Sequence, residues 1–419
     1  MSHTTGAATT TTAKQGRTAR SDGIVSRVRE TRDKINWRSV LFVFGIPVAG
    51  FLAALSTPLR WQTFVLSVVC FAGAITGITA GYHRLWAHRS YEGGRLLRFY
   101  LALAGASAAQ GSIRWWVRDH RAHHRYSDTD KDPYSVSDGL WHAHVGWLLV
   151  RKDKARLGRA DVSDLDGDGL VVWQHRHFLA LLVATVVVLP TAVCGLGWGD
   201  CRGGFVYGCL VRTFFVHQST FCVNSLAHWL GSQPYDDEHT PRDHLVTAII
   251  TFGEGYHNFH HEFPSDYRSS PVWYHWDPTK WLIAAMAFVG LAHGLKTFRH
   301  NEIEKRRLQQ EHKTTTRRLD ALEWGVPLES LPVVDWPEFK KEVDAGKKWL
   351  AIGGVIYDVA GFMDRHPGGR AMLNMALGRD ATQWFEGGVY GHSGNAHNLL
   401  CGLRVAVLRG GMEVETPTH

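Results

Sequence analysis

A chain of 419 residues with net charge +7 and a pI near 9.1 is long enough for more than one domain. Its charge suits a negatively charged partner such as an anionic membrane face or a nucleotide-like group; no stretch reads as a nucleic-acid module, so no nucleic-acid partner is expected. Six scattered cysteines (Cys70, Cys194, Cys201, Cys209, Cys222, Cys401), with no pair two residues apart, give neither a disulfide framework nor a zinc–thiolate site and suit a reducing compartment.

Residues 1–34 are rich in Thr, Ser, Gly and Arg and poor in large apolar side chains, so they cannot bury enough surface to offset the entropy of ordering. They are expected to be a disordered tail, and they lack the early apolar core of a cleavable signal peptide. Val40 to Leu59 and Trp61 to Tyr82 are each about the 20 residues that span a bilayer. Pro58 and Arg60 confine the connection between them to a tight turn. Leu96 to Ala109 is apolar but short and flanked by Arg95 and Arg98, which predicts a buried or interfacial helix. Phe178 to Trp198 and Phe205 to Val223 complete four spans, joined by Gly199-Asp200-Cys201-Arg202. A mean hydropathy of −0.17 is no objection, because long polar segments dilute the average.

Histidine recurs at the ends of these spans. His83-Arg84-Leu85-Trp86-Ala87-His88 closes the second, and His120-Arg121-Ala122-His123-His124 lies in the loop that follows. Asn224-Ser225-Leu226-Ala227-His228 follows the fourth, and His257-Asn258-Phe259-His260-His261 repeats the spacing of the cluster at 120. Positions three and four apart share a helix face, so His257, His260 and His261 are expected to point one way. Imidazole is a ligand for zinc, copper, iron and nickel, and nine imidazoles in four places predict one metal site. With two short turns on one side, the N-terminal tail, the loop 83–177 and everything after Asn224 share the other side. That side carries Arg17, Arg20, Arg27, Arg29, Arg32, Lys34, Arg151, Lys152 and Lys154, which marks it as cytosolic. All nine histidines fall there.

Asp164-Leu165-Asp166-Gly167-Asp168-Gly169 opens like a calcium loop, but its twelfth position is His175 instead of a bidentate Glu, so a capped polar loop is expected. Ser269 to Leu295 is expected to hold an amphipathic helix against the membrane face. Residues 297–326 are dense in charge and read as a solvated helical linker. Beyond it, 327–410 is a compact soluble unit followed by the tail 411–419. Trp349 to Ile352, Gly353-Gly354 and Val355 to Val359 give a hairpin signal. His366 and His392 then stand on separate loops beside glycines and aromatic residues, as suits a flat cofactor gripped from both faces.

Asp364-Arg365-His366-Pro367-Gly368-Gly369 and Gly391-His392-Ser393 resemble the two heme-ligand motifs of cytochrome b5. The resemblance implies heme b with His366 and His392 as axial ligands, the His-Ser context favouring His392 over the nearby His397. Gly81-Tyr82-His83-Arg84-Leu85-Trp86-Ala87-His88-Arg89-Ser90-Tyr91, Arg118-Asp119-His120-Arg121-Ala122-His123-His124 and Gly253-Glu254-Gly255-Tyr256-His257-Asn258-Phe259-His260-His261-Glu262-Phe263-Pro264 resemble the three histidine boxes of the membrane acyl-CoA desaturases, in particular the stearoyl-CoA (Δ9) type. A C-terminal heme domain resembles the fungal arrangement, and His257 argues against the front-end branch, which tends to have Gln there.

The implied fold is an all-α four-helix transmembrane desaturase domain (35–296) with a cytosolic helical cap, plus a small α+β cytochrome b5-like domain. The implied centre is two iron ions held by His83, His88, His120, His123, His124, His228, His257, His260 and His261, with Asn224 holding a water at one iron. Which histidine serves which iron is not divisible from spacing. The implied reaction inserts a cis double bond into a saturated acyl-CoA with O2. Electrons would pass one at a time from an NADH-dependent reductase through the heme, since the chain holds no dinucleotide fingerprint. The endoplasmic reticulum membrane, with both termini cytosolic, is the implied location. Arg118, Arg151 and Lys152 are implied coenzyme A contacts, and Tyr82, Trp86, Trp115, Trp116 and Trp147 are candidates for an acyl-tunnel wall. A membrane di-iron lipid hydroxylase, and a non-catalytic heme carrier with zinc in the histidine clusters, are the other functions these features allow.

Overall fold

The computed structural model describes residues 34–151, 157–387 and 391–411. The expected disordered tail and Lys152 thus fall outside the described residues, save for Lys34. The chain divides into two compact units between Glu311 and His312.

The first unit is helical. In chain order its main helices are α1 (Trp37–Ala54), α2 (Trp61–Ala87), α3 (Arg95–Ala106), α4 (Ile113–Tyr126), α5 (Phe178–Trp198), α6 (201–224), α7 (Leu245–Ile250), α8 (His257–Glu262), α9 (Pro278–Phe288) and the part up to Glu311 of α10 (His300–Asp320). Among the described residues, α1, α2 and α5 are long and apolar enough to cross a membrane. They leave large apolar side chains such as Leu52, Val69 and Leu196 exposed, a surface suited to lipid.

The fourth expected span, α6, is long enough but less apolar, because it carries Arg212, His217 and Gln218. The buried Arg212 guanidinium donates to the carbonyls of Gly208 and Ser107, and the His217 ring bonds the Ala108 carbonyl. These polar groups face protein, as a low-dielectric surrounding requires. The α1–α2 and α5–α6 turns are bonded to one another: Arg60 donates to the Trp198 carbonyl at 2.7 Å and Thr63 to the Asp200 carboxylate at 2.5 Å. Both turns therefore lie at one end of the helices, and the ends bearing His83 and Asn224 lie at the other.

Small residues let helices touch. A Cβ on Gly77 of α2 would lie 2.2 Å from the Gly105 nitrogen of α3, and a Cβ on Gly105 would lie 2.2 Å from the Tyr82 ring. Close backbone approach of this kind is how apolar helices associate in lipid. Gly77→Val is expected to destabilise the unit by about 1–3 kcal/mol, the usual range for overpacking. Lost monodisperse protein in detergent gel filtration, or a lowered melting temperature, measures it.

The apolar stretch after Arg95 is the partly buried α3, with Leu97 and Leu101 inward and Leu96, Phe99 and Tyr100 exposed. The calcium-like loop is a polar loop tied by arginines: Asp164 pairs with Arg121 and Arg89, Asp166 with Arg114, and Asp168 with Arg98. Asp168 also caps the helix Gly169–Arg176. The charged helix α10 is not solvated along its whole length. Its Ile303 is buried among Tyr235, Phe259 and Phe263, and Arg306 bridges Asp236 and Glu262. The first part of α10 thus clamps α8.

The second unit is a small α+β fold. Its four-stranded sheet has the order β1 (Val333–Val334), β4 (Arg404–Leu408), β3 (Val355–Asp358), β2 (Trp349–Ile352), with β1 and β4 parallel and the remaining pairs antiparallel. The β2–β3 hairpin turns at Gly353 and Gly354, both with positive φ, which is the conformation a two-residue turn of this twist requires. Leu350, Ile352, Val355, Tyr357 and Met363 form one side of its core.

Candidate metal centre

The nine histidines come together at the C-terminal end of α2. Helix α2 widens into π-helical turns over Gly77–Ala87. In a regular α-helix, residues five apart point well away from each other. Here the His88 N–H donates to the His83 carbonyl at 3.0 Å, a five-residue step. That step brings the two rings edge to face, 4.8 Å apart. Helix α4 supplies His120, His123 and His124, and Ser112 caps its start by accepting from the Trp115 N–H. His228 follows the end of α6. Helix α8 supplies His257, His260 and His261; Asp243 receives the N–H groups of Asn258 and Phe259 near its start.

These side chains divide into two groups: His83, His88, His120, His124 and His260, and His123, His228, His257 and His261. Within each group the ligand atoms lie within 4.8 Å of one another. In the first, Nε2 of His83 is 2.9 Å from Nε2 of His260, Nε2 of His88 is 2.8 Å from that of His120, and Nε2 of His260 is 3.1 Å from that of His124. In the second, Nε2 of His257 and His261 are 3.1 Å apart. Adjacent nitrogens bound to one metal ion at about 2.1 Å would lie about 3 Å apart.

The outer nitrogens fix the ring tautomers. Nδ1 of His83 faces Glu254 at 3.2 Å, Nδ1 of His123 faces Asp132 at 2.9 Å, and Nδ1 of His228 faces Thr240 at 2.8 Å, which donates in turn to Asp128. A histidine that gives its Nδ1 proton to a carboxylate presents a lone pair at Nε2. Such lone pairs aimed at one another repel unless a cation lies between them. The buried Nε2 of His228 has no hydrogen-bond partner among the described residues. Burial first, and neighbouring imidazoles second, push His120, His124, His257, His260 and His261 well below the ordinary histidine value, and burial with His123 lowers His228 to about 3. Burial would raise the Asp132 carboxyl, but His123 and the N–H groups of Tyr134 and Asp128 outweigh it and hold it below the usual range. Neutral imidazoles backed by carboxylates are the donor set that suits a divalent metal.

A cavity of about 570 Å³ opens against this centre. Ile75, Ile78, Trp115, Trp116, Trp147 and Phe221 line it, with His83, His120, His123 and His257 in one wall. Asn224 lines it as well. Trp115, Trp116 and Trp147, three of the five aromatic candidates, line this cavity, and Tyr82 and Trp86 do not: Tyr82 is packed on Gly105 and accepts from Gln174, and Trp86 bonds Asp168. Arg118 lines the cavity and pairs with Asp119. Arg151 is exposed, its N–H held by the Lys34 carbonyl, and it is not part of the wall.

No spacing or motif singles out Asp132, Thr240, Asp128 or the Arg38 and Gln110 side chains of the cavity. Glu254 lies three positions before His257, the nearest thing to a signal. Asp132 and Thr240 reach the rings from loops, and Arg38 reaches the cavity from α1, placements that spacing does not encode.

In the second unit the rings of His366 and His392 lie 6.5 Å apart and 27° from parallel. That is about the span of two imidazoles joined through one metal ion by bonds of about 2 Å. Nδ1 of His366 bonds the Gly369 carbonyl and Nδ1 of His392 the Phe385 carbonyl, so the basic nitrogen of each is Nε2. A Cβ on Gly368 would come within 2.9 Å of the His366 ring, so glycine is required there. His397 instead meets Phe385 edge-on.

Comparison with known proteins agrees with this division. Residues 59–274 match the family model "Fatty acid desaturase", and residues 335–409 match "Cytochrome b5-like Heme/Steroid binding domain". The chain is 50% identical over 381 residues to a "Probable acyl-CoA desaturase" of Schizosaccharomyces pombe, covering 91% of this chain and 79% of that protein. It is 46% identical over 377 residues to "Acyl-CoA desaturase 1" of Saccharomyces cerevisiae, covering 90% and 74%. It is 38% identical over 284 residues to "Stearoyl-CoA desaturase 5" of Homo sapiens, covering 67% and 86%. The chain belongs to the fatty acid desaturase family and carries a C-terminal cytochrome b5-like domain.

Proposed function

We propose that this protein is an acyl-CoA Δ9 desaturase of a membrane, in which a fused heme domain delivers the electrons. The observation that carries this reading is the convergence of nine histidines into two groups, four of whose members, His83, His120, His123 and His257, stand in the wall of one largely apolar cavity. The cytochrome b5-like domain implies heme and the desaturase family implies iron. In our reading one iron is held by His83, His88, His120, His124 and His260, the other by His123, His228, His257 and His261 with Asn224 carrying a water beside it. Heme b is held by His366 and His392.

Removing two hydrogens from an unactivated methylene pair is beyond acid–base catalysis, and the bound irons would supply the O2-dependent oxidation it needs. Reduction of O2 to two waters takes four electrons, two from the C–H bonds broken and two from the heme. An NADH-dependent cytochrome b5 reductase is the donor that this arrangement asks for. The chain's own residues place the substrate: the apolar wall takes the acyl chain and excludes water, while Trp116, stacked 4.8 Å from the His120 ring, limits where a methylene can approach the centre. Arg118, Arg151 and Lys152 are proposed to meet the phosphates of coenzyme A. We place the desaturase domain at 35–296, the linker at 297–326 and the heme domain at 327–410, with the centre and both termini on the cytosolic side of the endoplasmic reticulum membrane.

The test is a product assay in cells lacking their own desaturase, with total fatty acids analysed by mass spectrometry and double-bond location. A new monounsaturated acid with a Δ9 bond is expected. A hydroxylated acid would replace this reading with a lipid hydroxylase, and no new lipid from a heme-loaded, iron-free protein would replace it with a heme carrier.

A further inference from the structure

The geometry points to Glu254 as a positioning residue for the five-histidine group: a carboxylate held just outside the metal centre, which sets the tautomer of His83. This inference rests on the two-group iron reading above and adds a residue to it.

Glu254 is buried, and its Oε2 lies 3.2 Å from Nδ1 of His83, on the side of the ring away from His260. It is not among the side chains whose ligand atoms converge. What keeps it in the outer position is a network reaching it from three other segments. Arg84, the residue after His83, donates from Nη2 to Oε1 of Glu254 at 2.8 Å. Ser269 donates to Oε2 at 3.1 Å. The same guanidinium grips Asp277 through both terminal nitrogens, at 2.9 and 3.1 Å, and gives a further bond to the Tyr267 carbonyl. Asp277 in turn accepts the N–H groups of Ser269 and of Lys280 at the start of α9. Arg84 and Asp277 are fully buried, so the two carboxylates and the guanidinium have no solvent to compensate for a lost partner.

The backbone around Glu254 is built for this position. Phe252 and Gly253 both have positive φ. A Cβ on Gly253 would lie 2.7 Å from the Asp277 carboxylate, and one on Gly255 would lie 2.0 Å from the Ala248 nitrogen. The turn 252–255 therefore needs its two glycines to bring Glu254 between Arg84 and His83. A carboxylate that accepts the Nδ1 proton makes the imidazole a stronger Nε2 donor and locks its ring angle. One that is already bound by a guanidinium and a hydroxyl is not drawn onto the metal. Across the centre, Asp132 stands in the corresponding place behind His123 in the four-histidine group.

The test uses the full-length protein loaded with ⁵⁷Fe, with iron per chain measured by elemental analysis and the two iron environments resolved by Mössbauer spectroscopy. His120→Ala and His261→Ala assign the two signals by removing one each. Glu254→Gln, which keeps an acceptor but loses the charge, is expected to retain both irons and shift only the signal that His120→Ala removes. Glu254→Ala is expected to weaken iron binding at that group by about 10–100-fold. Asp132→Asn is expected to shift only the other signal. Should Glu254→Gln not assemble, Ser269→Ala removes the bond to Oε2 and the bond that Ser269 accepts from Arg84, keeps the Glu254 charge, and is expected to move the same signal less. A Glu254→Gln or Ser269→Ala spectrum matching that of the wild type, or a change in the signal assigned by His261→Ala, would overturn the inference. No iron in the wild-type protein would overturn the parent reading and this one with it.

Discussion

His120→Ala and His261→Ala should each abolish product while leaving the heme spectrum unchanged. The two substitutions fall in different groups of the centre, five and four histidines respectively. Each removes an imidazole whose ring meets several others: His120 faces His83, His88 and His124 at 4.7 to 4.9 Å, and His261 faces His124, His257 and His123 at 4.1 to 5.1 Å. Changes behind a ligand usually cost about 10–100-fold in metal affinity or activity. Loss of the ligand itself is expected to exceed that, so product should fall by more than about 100-fold. Iron content should fall in each case while absorbance from the second unit stays at the wild-type level. Measurable desaturation by either variant would remove the histidine groups from the reaction and return them to a structural role.

The contrast between these two groups was not legible in the sequence, and the reason is geometric. Spacing identified the nine histidines, because clusters three and four apart share a helix face and α8 needs only local structure to align His257, His260 and His261. Spacing could not divide them. His123 and His124 are neighbours on α4, yet they serve different groups, because adjacent residues on a helix point about 100° apart. The five-residue gap in His83 to His88 looks wrong for an α-helix and is resolved by the π-helical turn. The carboxylates behind the rings come from other segments: Glu254 from the turn before α8, Asp132 from the turn after α4. Their positions depend on the fold as a whole.

The hydrophobic pattern behaved in the same way. It located α1, α2 and α5 from length and composition, since nothing else explains about 20 apolar residues in a row. It treated α6 as one more apolar segment, whereas the inward-facing Arg212 and His217 are stabilised by carbonyls of the segment just after α3. It also read α10 as a solvated helix from its charges. One apolar residue, Ile303, and one arginine, Arg306, suffice to seat it against α8. In the second unit, by contrast, short-range signals carried further. The Gly353-Gly354 turn and its flanking β-branched and aromatic residues define the hairpin without help from distant parts of the chain.

His366→Ala should separate the two halves of the chemistry. Its ring and that of His392 are held 6.5 Å apart by carbonyls at Nδ1, so each depends on its own loop and neither replaces the other. A heme iron held by both imidazoles would have no open position, which fits electron transfer. Loss of one should therefore empty or open the heme site without disturbing the histidines of the first unit, whose partners all lie within that unit. The variant is expected to lose the heme absorbance, retain iron, and make no product in cells lacking other cytochrome b5. A separately expressed cytochrome b5 should restore part of the product, because the defect lies in electron supply and the cavity is intact. Wild-type product from His366→Ala with no other cytochrome b5 present would show that the fused domain is not the donor. Loss of iron together with heme would show that the two units are coupled in assembly.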